Sequence, residues 1–166
     1  MAEIFISVGS NINPETNVRA AIVALRAAFS NVRISPVFRS QAVGFDGDDF
    51  LNLVVAATTD LTPTAVALLL QDIENRHGRD RRQPKFSSRT LDLDLLLYDD
   101  VVLAGGGLQL PRGEIEKYAF VLAPLAAIAG DRRHPVTGQT IDAMWRCLDK
   151  SREKLQEIPF AWEESY

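Results

Sequence analysis

The chain has 166 residues, 46% of them hydrophobic and 24% charged, with a formal net charge of −4; these are the proportions of one soluble globular domain with a real core. The acidic balance argues against bulk attraction to nucleic acid or an anionic membrane, so any anion-binding role has to come from a local cluster of positive charge. The lone Cys147 can form no internal disulfide, no secretory leader is visible, and no run approaches the roughly 18–20 apolar residues of a membrane span. The expectation is a single domain over residues 1–166, cytoplasmic and monomeric, with no nucleic-acid or membrane partner.

Ile4-Phe5-Ile6-Ser7-Val8 reads as a buried strand, stopped by Gly9-Ser10-Asn11. A helix then starts at Asn13-Pro14, with Asn13 as cap and Pro14 at the first helical position, and carries Val18, Ile22, Leu25 and Phe29 on one face. Two β-rich runs follow, Val32 to Val43 and Phe50 to Thr59, joined by a polar, glycine-bearing segment suited to a hairpin connection. Thr62-Pro63 repeats the cap-then-proline signal, and this second helix buries Val66, Leu69, Leu70 and Ile73 before ending at Gly78. After the charged stretch from Arg79 to Arg89 comes a strand from Thr90 to Tyr98. The order βαββαβ predicts an α+β, ferredoxin-like core: a largely antiparallel sheet with helices packed on one face. Beyond it, Gly105-Gly106-Gly107 marks a turn, 118–129 and 141–148 read as helices, and the tail from Ser151 fits either an added helix or an added strand.

The sharpest chemical feature is Arg89-Thr90-Leu91-Asp92-Leu93-Asp94-Leu95-Leu96-Leu97. In a strand, Asp92 and Asp94 point the same way with Cβ atoms roughly 6–7 Å apart, while Leu91, Leu93 and Leu95 face the core. Two carboxylates side by side on so apolar a strand repel each other and resist desolvation, and a hard cation between them relieves both effects. An exposed strand face is the bland alternative for an Asp-x-Asp pair; the flanking leucines weigh against it. Just upstream, Arg76, Arg79, Arg81, Arg82, Lys85 and Arg89 concentrate positive charge in an acidic protein. Arginine forks match phosphate oxygens, so paired acids beside arginines form the inventory of phosphoryl transfer. The chain has no GxxxxGK[ST] loop, GxGxxG, GxSxG or HExxH motif. His77, beside Gly78, and His134, before Pro135, read as turn residues.

The run from Phe86 to Leu96 resembles the signature of the 6-hydroxymethyl-7,8-dihydropterin pyrophosphokinase family of folate biosynthesis. The likeness extends to Gly9-Ser10-Asn11, Phe50-Leu51-Asn52, Ile73-Glu74, Gly78-Arg79, Ala119-Phe120-Val121-Leu122 and Pro124-Leu125. It implies transfer of diphosphate from ATP to the pterin hydroxymethyl group, with Asp92 and Asp94 holding two magnesium ions. It further implies that Arg79 and Arg89 stabilise the moving diphosphate, with Arg81 as a helper. Phe50 and Phe120 would sandwich the pterin, Asn52 would hydrogen-bond it, backbone groups around Ser40, Val43 and Gly44 would read its edge, and Phe86 would close the pocket. Gln71, Glu74 and Arg112 resemble positions near the nucleotide. The chain departs from the family where Arg112 replaces a histidine after Pro111, Tyr118 replaces a basic residue that contacts ATP, and Phe86 replaces a tryptophan. Those departures keep a second reading open, a paralogue that binds a pterin-like ligand with weak transfer or none. A third, an RNA-binding module of the same strand order, lacks the stacking aromatics that such sheets display.

Overall fold

The computed structural model describes residues 1–42, 47–78, 90–151 and 153–162. Its first seven elements are β1 (Ala2–Ser10), α1 (Pro14–Ala28), β2 (Ser30–Ile34), β3 (Val37–Ser40), β4 (Phe50–Thr59), α2 (Pro63–Arg76) and β5 (Asp92–Tyr98). They follow the expected βαββαβ order, with the second strand of the motif split into β2 and β3 at Ser35-Pro36. The split is stitched to β4 from both sides: the Ser35 amide donates to the Val54 carbonyl at 2.9 Å, and the Val54 amide donates to Ser35 Oγ at 2.8 Å. Five more elements precede the last strand: β6 (Leu103–Gly105), β7 (Leu108–Leu110), α3 (Glu114–Lys117), α4 (Ala119–Ala129) and α5 (Ile141–Cys147). The tail adds a strand, β8 (Leu155–Ile158). The sheet runs β5-β1-β4-β3-β8, with β2 also on β4, and every pairing is antiparallel.

Thr62 caps α2 as expected, accepting from the Ala65 amide at 3.2 Å. Asn13 does not cap α1 with its side chain. It takes a left-handed conformation, φ 42°, and its carbonyl accepts from the Asn17 amide at 3.0 Å. β1 continues through Ser10 rather than stopping at Gly9, because Gly9 and Ser10 remain paired with Asn52 and Leu51.

Strand alternation sorts the apolar side chains into two clusters. Ile4, Ile6, Val8, Leu51, Leu53, Val55, Leu93 and Leu95 pack against Val18, Ile22 and Leu25 of α1 and Val66, Leu70 and Ile73 of α2. Phe5, Val54, Ala56, Leu96 and Leu97 face the other way, onto Val121, Leu122 and Leu125 of α4 and Ile141 and Met144 of α5. The helices therefore cover both faces, not one. The second layer escapes a periodicity argument because Ala119–Ala129 is apolar nearly all round, so no stripe reveals which face it buries. A register shift helps build this layer: Phe5 opposes Leu97 and Ile6 opposes Leu95, so Leu96 is an extra residue and both Leu96 and Leu97 enter the second cluster. No helix among the described residues is long and apolar enough to cross a membrane.

Candidate active site

The face that carries Phe5, Val54 and Leu97 changes character toward the start of β5. Along one row Asp92 opposes Gly9, Gly9 opposes Asn52, and Asn52 opposes Phe38. In the next row Asp94 opposes Ser7, which opposes Val54. Asp92 and Asp94 thus share a face and Leu93 is buried on the other, as alternation required. Asp94 is part-buried, and its carboxyl is pushed up to about 7, first by burial and then by the adjacent Asp92 charge; Arg112 opposes the shift without cancelling it. The Arg112 guanidinium lies 3.2 Å from Asp94 Oδ1 and 3.1 Å from Glu114 Oε2. Its amide, which donates to the Leu96 carbonyl at 3.0 Å, tethers it to β5.

Beside the acids, β4 begins with Phe50, and Asn52 is buried two residues on. Asn52 Nδ2 donates to Ser40 Oγ at 2.7 Å, which fixes the amide and leaves its oxygen directed toward Gly9. A Cβ on Gly9 would sit 3.3 Å from Asn52 Oδ1 and 3.8 Å from Phe50 Cδ1. The glycine is therefore a floor between the acids and the amide. Phe120, second residue of α4, stands on this same side of the sheet and stacks on Tyr118, with ring centroids 5.0 Å apart and planes 21° apart.

The family model for 7,8-dihydro-6-hydroxymethylpterin-pyrophosphokinase (HPPK) matches residues 5–130. The chain belongs to this family. It is 38% identical to a 2-amino-4-hydroxy-6-hydroxymethyldihydropteridine pyrophosphokinase of Synechocystis over 82% of this chain and 71% of the relative. It is 36% identical to one of Pseudomonas aeruginosa over 92% and 96% respectively. Among solved structures, Plasmodium falciparum HPPK-DHPS superposes with a TM-score of 0.66 at 12% identity, over 88% of this chain. The likeness is one of fold, and the chain spans 43% of that longer polypeptide.

Within this HPPK-family chain the structure brings together Asp92, Asp94, Arg112, Asn52, Ser40 and Phe50, and places Phe120 on the same side. Gln71 is exposed on α2. Glu74 is buried instead, and its Oε2 accepts from the Leu93 amide at 2.9 Å. It satisfies an outward N–H on a strand that lies at the sheet edge among the described residues. Val43, Gly44, Arg79, Arg81, Phe86 and Arg89 lie outside the described residues.

The segment Gly9-Ser10-Asn11, read from sequence as a stop, organises the site. The Ser10 hydroxyl donates to the Thr90 carbonyl, and Asn11 Nδ2 donates to the Asp48 carbonyl at 3.0 Å. Gly9 has one sequence signal, a glycine inside a strand, which marks a close approach; Glu114 has none. Both histidines have Nδ1 engaged by nearby main-chain groups. His77 Nδ1 meets the Ile73 carbonyl at 2.7 Å, and His134 Nδ1 accepts from the Val136 and Thr137 amides.

No group of three or more His, Cys, Asp or Glu side chains is gathered for a metal among the described residues. The candidate is the acid pair, and its chemistry fits magnesium, which takes one or two carboxylates together with phosphate oxygens and water. The raised Asp94 carboxyl supports that fit: ionising both acids here is costly until a cation joins them.

Proposed function

We propose that the chain transfers the terminal diphosphate of ATP to the hydroxymethyl group of 6-hydroxymethyl-7,8-dihydropterin, releasing AMP. One observation carries the reading: the acid pair and the Asn52–Ser40 amide site share a sheet face, separated by a glycine. Asp92 and Asn52 stand two strand spacings apart, about 10 Å, with Gly9 between them. Asn52 presents its carbonyl oxygen to the donor edge of the pterin, while Phe50 and Phe120 supply aromatic faces for its ring. Backbone groups at Val43 and Gly44 read the remaining edge, and Phe86 closes over the ring.

The hydroxyl oxygen attacks the β-phosphorus and the bridge to the α-phosphate breaks. Arg79 and Arg89, with Arg81 as a helper, neutralise the diphosphate as it moves. Asp92 and Asp94 would hold two magnesium ions, which when bound offset charge on the polyphosphate. Gln71 borders the nucleotide from α2. Glu74 acts on the site from behind, by fixing the backbone between the two acids. Arg112 holds Asp94 in place until the polyphosphate arrives and then offers it a second positive charge.

Incubation of the protein with magnesium, ATP and the dihydropterin should yield AMP in step with pterin diphosphate; ADP as the nucleotide product would overturn the assignment. The Arg112–Asp94 ion pair also favours a second reading, in which Arg112 keeps the metal away and the chain binds pterin without transfer. Calorimetry separates the two, since that reading requires pterin binding with feeble magnesium–ATP binding.

A further inference from the structure

Helix α4 begins without a cap of its own. Tyr118 occupies the N-cap position but makes no side-chain hydrogen bond to the first turn, which leaves amides there in need of acceptors. Two of them are taken by one distant carboxylate. Glu153 Oε2 accepts from the Ala119 amide at 2.7 Å and Oε1 accepts from the Phe120 amide at 3.2 Å. A carboxylate at this end also meets the positive pole of the helix.

Glu153 lies beyond α5 and just before β8. Leu155, first residue of β8, pairs with Ser40, whose hydroxyl receives the Asn52 amide. Two residues of extended chain cover about 7 Å, so one short stretch of the tail ties together the amide wall and the aromatic wall of the pocket. This stretch lies past residue 130, where the match to the family model ends.

We propose that the tail from Glu153 to Ile158 is a strap across the pterin pocket, with Glu153 a positioning residue that fixes the Phe120 ring for pterin binding. The body of α4 does not depend on it, because Val121, Leu122 and Leu125 anchor the helix in the second core cluster. Glu153 fixes the first turn alone, and that turn bears Phe120 stacked on Tyr118. The residue that replaced a basic one on the nucleotide side is thus part of the aromatic wall. The inference rests on the pterin site described above, and it assigns pterin affinity, not nucleotide affinity, to the tail.

The test uses the full chain and its variants Glu153→Ala, Glu153→Gln and, as a control outside the tail, Asp60→Ala, which removes an exposed carboxylate just past the end of β4 remote from Phe50 and Asn52. Calorimetry measures the affinity for 6-hydroxymethyl-7,8-dihydropterin and, separately, for a non-hydrolysable ATP analogue with magnesium, well below each melting temperature. Glu153→Ala should weaken pterin binding about fivefold to tenfold, as loss of a helix cap implies, and leave the analogue within about twofold. Glu153→Gln, which keeps one acceptor oxygen, should recover part of the loss, and Asp60→Ala should match the parent chain. Unchanged pterin affinity in a folded Glu153→Ala protein, or equal weakening of both ligands, overturns the strap. If Glu153→Ala does not fold, the Gln variant decides, and parental pterin affinity in it has the same consequence. Failure of the parent chain to bind pterin would instead sink the site assignment.

Discussion

One face of the sheet holds two regions built from the same three strands. Toward the start of β1 and the end of β5 it shows Phe5, Ala56, Leu96 and Leu97, sealed by α4 and α5. Toward the end of β1 and the start of β5 it shows Gly9, Asn52, Asp92 and Asp94. The pleat is continuous, so secondary structure does not distinguish the halves. What differs is the charge that the face buries. The apolar half carries none; in the polar half, burial and the neighbouring Asp92 charge make Asp94 hard to ionise, with Arg112 3.2 Å away opposing the shift. A region that sets like charges side by side under partial burial is a candidate site, and a region of packed apolar side chains is scaffold.

The strongest test of that contrast is to remove an acid. Asp92→Ala and Asp94→Ala should each lower AMP formation by several powers of ten, on the order of the loss expected for a metal ligand in phosphoryl transfer. Their melting temperatures should hold or rise, because the substitution removes repulsion between the acids. A variant that keeps most of its activity, or that loses activity by unfolding, breaks the comparison.

Leu97→Ala probes the opposite half. The side chain is 1% exposed, and its truncation should cost about 2–5 kcal/mol of stability while turnover per folded molecule stays near that of the parent. Equilibrium unfolding and kinetics on the same preparation supply both numbers. Phe120→Ala sits at the border between the halves. It should weaken pterin binding by about ten- to a hundredfold, in line with about 1–3 kcal/mol for a lost stacking platform, with a much smaller effect on stability because the ring is partly exposed.

The core motif was legible because its signals are local. Alternation placed Leu91, Leu93 and Leu95 inward and the two acids outward, and Thr62-Pro63 marked a capped helix. The acid pair could be read as a site because carboxylates on a leucine strand violate the rule that the leucines set. The helices at 118–129 and 141–148 were legible, but their place on the second face of the sheet was not, since α4 is apolar without a stripe. Glu74 illustrates a different limit. From sequence it resembled a position near the nucleotide; that its carboxylate also closes the backbone of β5 could not be read there, because it depends on which strand lies at the edge. Glu153 is further still from local signal, because the amides it caps belong to a helix that begins 34 residues earlier.

The smallest effect expected concerns a buried polar group far from the acid pair. His134 is 3% exposed, and its Nδ1 accepts amide hydrogens from Val136 at 3.3 Å and Thr137 at 3.1 Å. It is therefore neutral, with the proton on Nε2, and burial lowers its pKa below the ordinary 6.5. With a folded pKa below the unfolded one, its contribution to stability is fully present above about 6.5 and is lost as the pH falls through the folded value. Protonation puts a hydrogen on the atom that both amides address, so the bonds fail together. His134→Asn cannot titrate in this range, so the melting temperature of the parent should exceed that of the variant at pH 7.5, with the gap closing by a few degrees toward pH 5. A gap that does not change with pH would mean that His134 contributes shape alone, and that a buried polar group outside the site need not be neutral to be tolerated.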